Sequence, residues 1–234
     1  MNLVSQEIQR RLDLTTIPPQ RIDGKDAAIL VLLRGQEIAK LEVLLCVRSM
    51  NMRKHPGEVC FPGGMWEPQD SDLQQTALRE AHEETGLGLD HFELLGSLPS
   101  FRSRFGVLVH PAVALWRNGA PWEPQLNSAE VEKVFWQPLH DFLDKSMHSS
   151  YVWDNVYTVH SFDFAEAHCY GFTAFIAVVV AMCAFDRVPD FDLSEAFTAE
   201  IMRSVGTKSV VAAIFSVAAL PADQRNAHIR LNKL

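Results

Sequence analysis

The 234-residue chain is poor in cysteine, and its four copies, Cys46, Cys60, Cys169 and Cys183, form no CxxC pair. Free buried thiols in a reducing compartment are expected, rather than a disulfide framework or a zinc site. A secretory signal is missing too, because residues 1–15 are charged and amphipathic, with no uninterrupted apolar core. The longest apolar run, FTAFIAVVVAMCAF at 172–185, falls short of the roughly 20 residues needed to cross a bilayer, so it reads as a buried helix. Basic residues are outnumbered, and the net charge of −8 argues against a broad nucleic-acid surface while leaving room for a local phosphate-binding pocket. Nine histidines show no HExxH or other metal spacing, and Ser49 has no His/Asp context that would mark a nucleophile. Repeats, low-complexity tracts and clear linkers are also lacking.

What is present is an ordinary globular composition, 47% apolar and 21% charged. The length suits one well-buried domain with extensions. We expect a single domain over 1–234 with its core at about 25–185. An amphipathic helix at 3–14, with Leu3, Ile8 and Leu12 inward, should end at Pro18-Pro19, and a helical extension should occupy 186–234. Periodicity predicts strands at 27–33, 41–47, 92–98, 107–116 and 130–139, and a hairpin from 151–159 and 161–164. Helical patterns recur at 73–85, 172–185, 194–204 and 208–219, while 99–106 reads as a loop of cations and aromatics. Strands interleaved with two main helices imply an α/β fold, a mixed sheet with helices on both faces.

The chemistry concentrates in one place. Gly63-Gly64 is followed, after a short loop, by a helix with Glu80, Glu83 and Glu84 at i, i+3 and i+4. At 100° per residue these carboxylates share about a third of the helix circumference. Leu78, Ala81 and Thr85 occupy a separate arc that can pack inward. Like charges at that spacing repel, so the face is costly unless a cation sits over it, and a hard divalent ion takes carboxylate oxygens readily. A solvated acidic face is the plainer reading of such a run.

From Arg79 to Leu87 the chain resembles the Nudix hydrolases, whose pattern is a Gly, a spaced acidic residue, then Arg-Glu, an aliphatic, any residue, Glu-Glu, any residue, Gly and an aliphatic. Every helix position is met, with Ala81 in the first aliphatic place. The loop from Gly64 to Arg79 is one residue longer than usual, which leaves Asp70 and Asp72 as alternatives for the acidic loop position. Upstream, Leu44-Leu45-Cys46-Val47-Arg48-Ser49, Arg53, Gly57 and Phe61-Pro62-Gly63-Gly64 resemble the second signature of the coenzyme A diphosphatase subgroup, with Cys46 where a Thr is usual.

The resemblance implies the α/β/α sandwich of the Nudix fold and metal-dependent hydrolysis of coenzyme A, or its acylated or oxidised forms, to 3′,5′-ADP and 4′-phosphopantetheine. It implies Mg²⁺ or Mn²⁺ on Glu80 and Glu84, with Glu83 in the cluster or deprotonating water. Arg79 is implied to orient a glutamate, Gly63 and Gly64 to allow close approach, and Arg48 and Arg53 to contact phosphate. Lys54 and His55 are further candidates to assist, and Arg102 and Arg104 could reach the ligand from the loop after the helix, with solvated loop cations as the equal alternative for these two. Glu130 and Glu132 are read as outward residues of an amphipathic strand, although some Nudix enzymes draw a general base from a later loop. The ending Asn232-Lys233-Leu234 is similar to the peroxisomal Ser-Lys-Leu address, so a peroxisome and its import receptor are expected, with mitochondrion or cytosol as alternatives; neither nucleic acid nor membrane is expected as a partner. Two competing readings stay open: a Nudix pyrophosphatase for NADH, ADP-ribose or capped RNA, and a non-catalytic nucleotide-binding module.

Overall fold

The computed structural model describes residues 3–16, 19, 21, 24–88, 90–117, 119–153 and 157–220. After helix α1 (Leu3–Leu12) the chain lays down β1 (Asp26–Arg34), β2 (Glu42–Arg48), β3 (Val59–Cys60) and β4 (Gly63–Met65). Helix α2 (Leu73–Thr85) follows, then β5 (Phe92–Ser97), β6 (Phe101–Arg102), β7 (Leu108–Trp116) and β8 (Val131–Pro138). Strands β9 (His148–Trp153), β10 (Tyr157–Asp163) and β11 (His168–Tyr170) precede helices α3 (Gly171–Phe185), α4 (Ala199–Val205) and α5 (Thr207–Ala218).

The main sheet runs β3-β2-β1-β7-β5, with β4 on β1, β6 on β7 and β8 on β2. Strands β1 and β7 pair in parallel and the other pairs are antiparallel, so the sheet is mixed. Both faces of β1 are covered, which is why it reads as an apolar run rather than an alternation. Ala28, Leu30 and Leu32 join Leu73, Ala77 and Ala81 of α2 in one buried cluster. Val31 and Leu33 face the other way, into a cluster with Ile8 and Leu12 of α1, all of the inner part of α3, and Val210 and Ile214 of α5. Helices thus cover both faces of the sheet.

Several expectations are corrected. Helix α1 stops at Leu12, since Asp13 takes a left-handed φ of 50°. Thr15 then exchanges backbone hydrogen bonds with Ser97. Leu3 is exposed rather than inward, and buried Ser5 takes the inner place, its hydroxyl donating to Glu93. The loop at 99–106 contains a two-residue strand, because Phe101 is buried and pairs with Val109. His160 is no turn residue: it lies buried within β10, opposite Ser150, and the hairpin starts at His148. Trp153 pairs with Tyr157, and β11 adds a third strand. Only 199–205 of the pattern at 194–204 is α-helical.

The four cysteines are free thiols. Among the described residues no single helix is long and apolar enough to cross a membrane. The ending Asn232-Lys233-Leu234 and Pro18 of the expected stop lie outside the described residues.

Candidate active site

Local chemistry fixes α2. The Asp72 carboxylate caps its start by accepting from the Gln75 N–H at 2.8 Å. Gly86 ends it with φ 74°, its N–H donating to the His82 carbonyl. Small residues let the helix approach the sheet: Ala77 and Ala81 pack in the cluster with Ala28, Ala112 and Ala114. Leu78 is only half-buried, whereas Ala81 and Thr85 are buried as expected. The close approach brings Glu80 and Glu84 against β4.

The two glycines of β4 are required for different reasons. Gly63 has φ 151°, and a Cβ there would lie 2.3 Å from the Ala28 carbonyl oxygen. Its N–H donates to Glu84 Oε2 at 3.1 Å. At Gly64 a Cβ would come within 2.4 Å of the Glu80 carboxylate. The absent side chains are what leave room for the acids.

Glu84 is 3% exposed. Burial pushes its pKa up to about 8, opposed by the Gly63 N–H and reinforced by the charge of Glu80. Burial also raises Glu80, against the pull of Arg79 and with repulsion from Glu83 and Glu130. This is no solvated acidic face: two neighbouring carboxylates are held where ionisation is unfavourable, a strain that a bound cation relieves. Among the described residues no three Asp, Glu, His or Cys side chains converge on one point, because Glu83 is half-exposed and turned onto Arg79. The donor set nevertheless fits a hard divalent ion: paired carboxylate oxygens beside a bare glycine backbone, with uncompensated charge.

Arg79 does not present its fork to a glutamate, as expected from the sequence. Its Nε and Nη2 grip Asp70 at 2.8 and 3.1 Å, while Nη1 reaches Glu80 at 3.0 Å and Glu83 at 3.1 Å. Nη2 also donates to the Met65 carbonyl at 3.1 Å. Asp70 is the acidic loop position, and Asp72 is the cap. The Arg79 fork holds Asp70 below its usual carboxylate range despite burial, and the Glu67 N–H and Thr76 hydroxyl also donate to it.

Arg48 ends β2 beside the site. Its charge bears on Glu84, its Nη2 contacts Met52 Sδ at 2.8 Å, and its buried Nε finds no hydrogen-bond partner among the described residues. Arg53 and Lys54 lie exposed on the loop that follows. Arg102 is tied down, donating to the Ala219 and Gly106 carbonyls, whereas Arg104 is exposed.

Glu130 is the residue whose surroundings the sequence did not reveal. Loop 125–130 is fastened to the end of α2, with Gln125 N–H on the Thr85 carbonyl and Asn127 N–H on that of Glu84, both at 3.0 Å. The Glu130 carbonyl accepts from Ser49 N–H at 2.8 Å. Half-buried there, Glu130 adds its charge to the field on Glu80 and Glu84. Glu132 is exposed, in keeping with its outward assignment. No periodic signal separates the two, because the fastening is made by backbone groups.

The histidines are structural where buried. His110 Nε2 pairs with Asp26 at 3.0 Å and its Nδ1 with the Ser100 hydroxyl at 2.7 Å, tying β7 to the start of β1. His148 and His160 are 2.9 Å apart, stacked about Phe191, and each is lowered to about 4 by burial.

A glycine strand under a helix with buried Glu84, half-buried Glu80 and an Asp-anchored arginine defines the class: a hydrolase of phosphoric anhydrides. Residues 24–153 match the NUDIX domain model, and the chain belongs to the Nudix family, whose hydrolases generally need divalent metal ions. It is 46% identical over 192 residues to a peroxisomal coenzyme A diphosphatase of Caenorhabditis elegans, covering 81% of each chain. A peroxisomal coenzyme A diphosphatase of Mus musculus is 33% identical over 80% of this chain and 83% of its own. Nudix hydrolase 15, mitochondrial, of Arabidopsis thaliana is 36% identical over 74% of this chain and 63% of its own length.

Proposed function

We propose that this protein is a coenzyme A diphosphatase, one Nudix domain over 1–234, acting in the peroxisome on coenzyme A and its acylated or oxidised forms. The observation that carries the reading is the pair of buried Glu84 and half-buried Glu80 against the Gly63-Gly64 strand. The substrate assignment draws on the relatives named for that activity and on the signature at Arg48 to Gly64. An import receptor reading Asn232-Lys233-Leu234 is the partner this localisation expects.

Glu80 and Glu84 would hold Mg²⁺ or Mn²⁺, and Glu83 would join them on turning from Arg79. A divalent ion there neutralises charge on the diphosphate and acidifies a water. The protein's own contribution is placement. Arg79, locked on Asp70, keeps Glu80 and Glu83 oriented from one nitrogen. Gly63 and Gly64 leave the backbone open for the diphosphate to approach. Arg48 brings its positive charge beside Glu84, and Arg53 adds an exposed guanidinium suited to bidentate phosphate contact. Glu83 and Glu130 are the carboxylates beside the pair that can take the proton of the attacking water.

The test is product analysis after incubating the protein with coenzyme A, NADH and ADP-ribose, with Mg²⁺, Mn²⁺ or chelator. Metal-dependent release of 3′,5′-ADP and 4′-phosphopantetheine from coenzyme A, with little turnover of the others, is expected. Turnover of NADH or ADP-ribose alone overturns the substrate assignment. No turnover of any of them in the presence of metal overturns the enzymatic reading.

A further inference from the structure

A second surface beside the site is unexplained by metal or diphosphate chemistry. Large rings stand exposed there: Phe105 at 61%, Tyr151 at 55% and Trp153 at 43%. Monomeric proteins rarely leave aromatics grouped in water without a ligand to cover them. The group is also charged in a particular way. The Arg104 guanidinium lies 4.6 Å from the Phe105 ring centre and 5.2 Å from that of Trp153. It has no carboxylate at ion-pair distance among the described residues. A cation held by two rings and not by an acid keeps its hydrogen-bond donors for an anion.

The surface is continuous with the catalytic end of the sheet. His55 meets the edge of Phe105 at 5.8 Å and pairs with Glu58 at 3.0 Å. Glu58 in turn gives its carbonyl to the Arg48 N–H at 3.0 Å, and the Arg48 carbonyl accepts from Gly57 at 3.1 Å. Arg48 is the residue whose charge bears on Glu84. His55 itself sits at a left-handed φ of 56°, and it belongs to the same exposed turn as Arg53 and Lys54. Arg104 and His55 thus border the rings, and Arg53 and Lys54 stand exposed in the turn that carries His55, in a chain that is net acidic.

We propose that Arg104, Phe105 and Trp153 form the platform that takes the 3′-phosphorylated adenosine end of the substrate. The purine stacks on the exposed rings, and the 3′-phosphate is held by the Arg104 guanidinium. This rests on the coenzyme A reading for its substrate, since that ligand carries an adenine and a phosphomonoester beyond the bond to be cut. A second copy of the chain is the other occupant an aromatic edge invites, but the Arg104 guanidinium would there face its own image. An anionic, flat ligand complements both features at once.

The experiment is a direct titration of the full-length protein, without metal, with 3′,5′-ADP and with 5′-AMP, by calorimetry and tryptophan fluorescence. Phe105→Ala and Arg104→Ala are compared with the parent, and both side chains are exposed enough that melting temperatures should hardly move. Losing a base-stacking ring should weaken both nucleotides on the order of tenfold. Arg104→Ala should remove most of the preference for 3′,5′-ADP over 5′-AMP. In turnover, both variants should raise KM for coenzyme A with little change in kcat, as expected when binding is lost equally from ground and transition states. Parent-like affinities in both variants overturn the platform, whether or not coenzyme A is hydrolysed. So does a shift in oligomeric state with unchanged titrations, which would make the rings an interface between copies. If 3′,5′-ADP binds and depends on Phe105 while coenzyme A is not cleaved, the platform stands and the catalytic reading falls.

Discussion

Substituting either glycine of β4 with alanine adds the same methyl group, yet the structure assigns the two changes opposite consequences. In Gly64→Ala the new Cβ meets the Glu80 carboxylate at 2.4 Å, about 1 Å closer than ordinary contact. The obstacle is the far end of a flexible side chain, so Glu80 swings aside and the fold is nearly undisturbed, at a cost below about 1 kcal/mol. Its carboxylate is then misplaced by about 1 Å, a displacement that typically costs about 10²-fold in rate. In Gly63→Ala the methyl meets the Ala28 carbonyl at 2.3 Å and the Ile29 Cα at 2.7 Å, at φ 151°. Nothing there can swing aside, and the backbone conformation alone costs about 1–3 kcal/mol. With about 2–4 °C per kcal/mol in a protein of this size, the melting temperature should fall by roughly 5–10 °C. Thermal melts and initial rates with coenzyme A, at saturating metal, read both effects. Full activity in Gly64→Ala, or a loss of stability equal to that of Gly63→Ala, would refute the assignment of Glu80 to the space over β4.

Glu84→Gln should cut turnover at least about 10²-fold and at the same time stabilise the metal-free protein in alkali. The sign follows from a folded pKa of about 8 against 4.5 unfolded: the stability tied to this group is complete below pH 4.5 and is lost as pH rises through 8. Urea midpoints at pH 6 and 9 that slope equally in the two proteins would contradict this. Asp70→Asn should destabilise by about 3–5 kcal/mol by leaving Arg79 without its buried fork partner, against about 1 kcal/mol for removing the cap in Asp72→Ala. Similar denaturation midpoints for these two variants would exchange their roles. For His148 and His160 the folded values near 4 lie below the ordinary 6.5, so the neutral pair's stability is present above pH 6.5 and is lost as pH falls through 4. About 3 kcal/mol should disappear over that window from buried His160 alone, measured by urea denaturation, and His148→Gln should flatten the slope; an equally steep slope in the variant rules the pair out.

Where local signals are strong, sequence and structure agree. Helix α2 spans Leu73–Thr85 as its pattern predicts, because a capping aspartate and a left-handed glycine mark its ends within a residue. The central strands follow from apolar runs buried on both faces. The approach of Glu80 and Glu84 to Gly63-Gly64 was legible, but not the turn of Glu83 onto Arg79 nor the main partner of Arg79. Asp70 and Asp72 are chemically identical in sequence, and only the chain path places one beneath the guanidinium. Glu130 was hidden for a related reason: an outward strand glutamate and one folded over the site alternate alike, and the difference lies in carbonyls at the end of α2. The hairpin at 148–163 was misplaced because His160, polar and flanked by Val159 and Ser161, resembles a turn, while the structure buries it against Leu193 and Phe191.

The loop that fastens 125–130 to the last carbonyls of α2 sets a limit on how this scaffold can be altered. Those hydrogen bonds make loop and catalytic helix one mechanical unit, so a graft at 125–130 will disturb the reaction even when the new residues never touch a ligand. The turns at 50–57 and 103–106 are joined to the helix less directly. Transplanting them from another hydrolase is the natural route to a new leaving group with the old chemistry intact, and random libraries are best confined to those two turns.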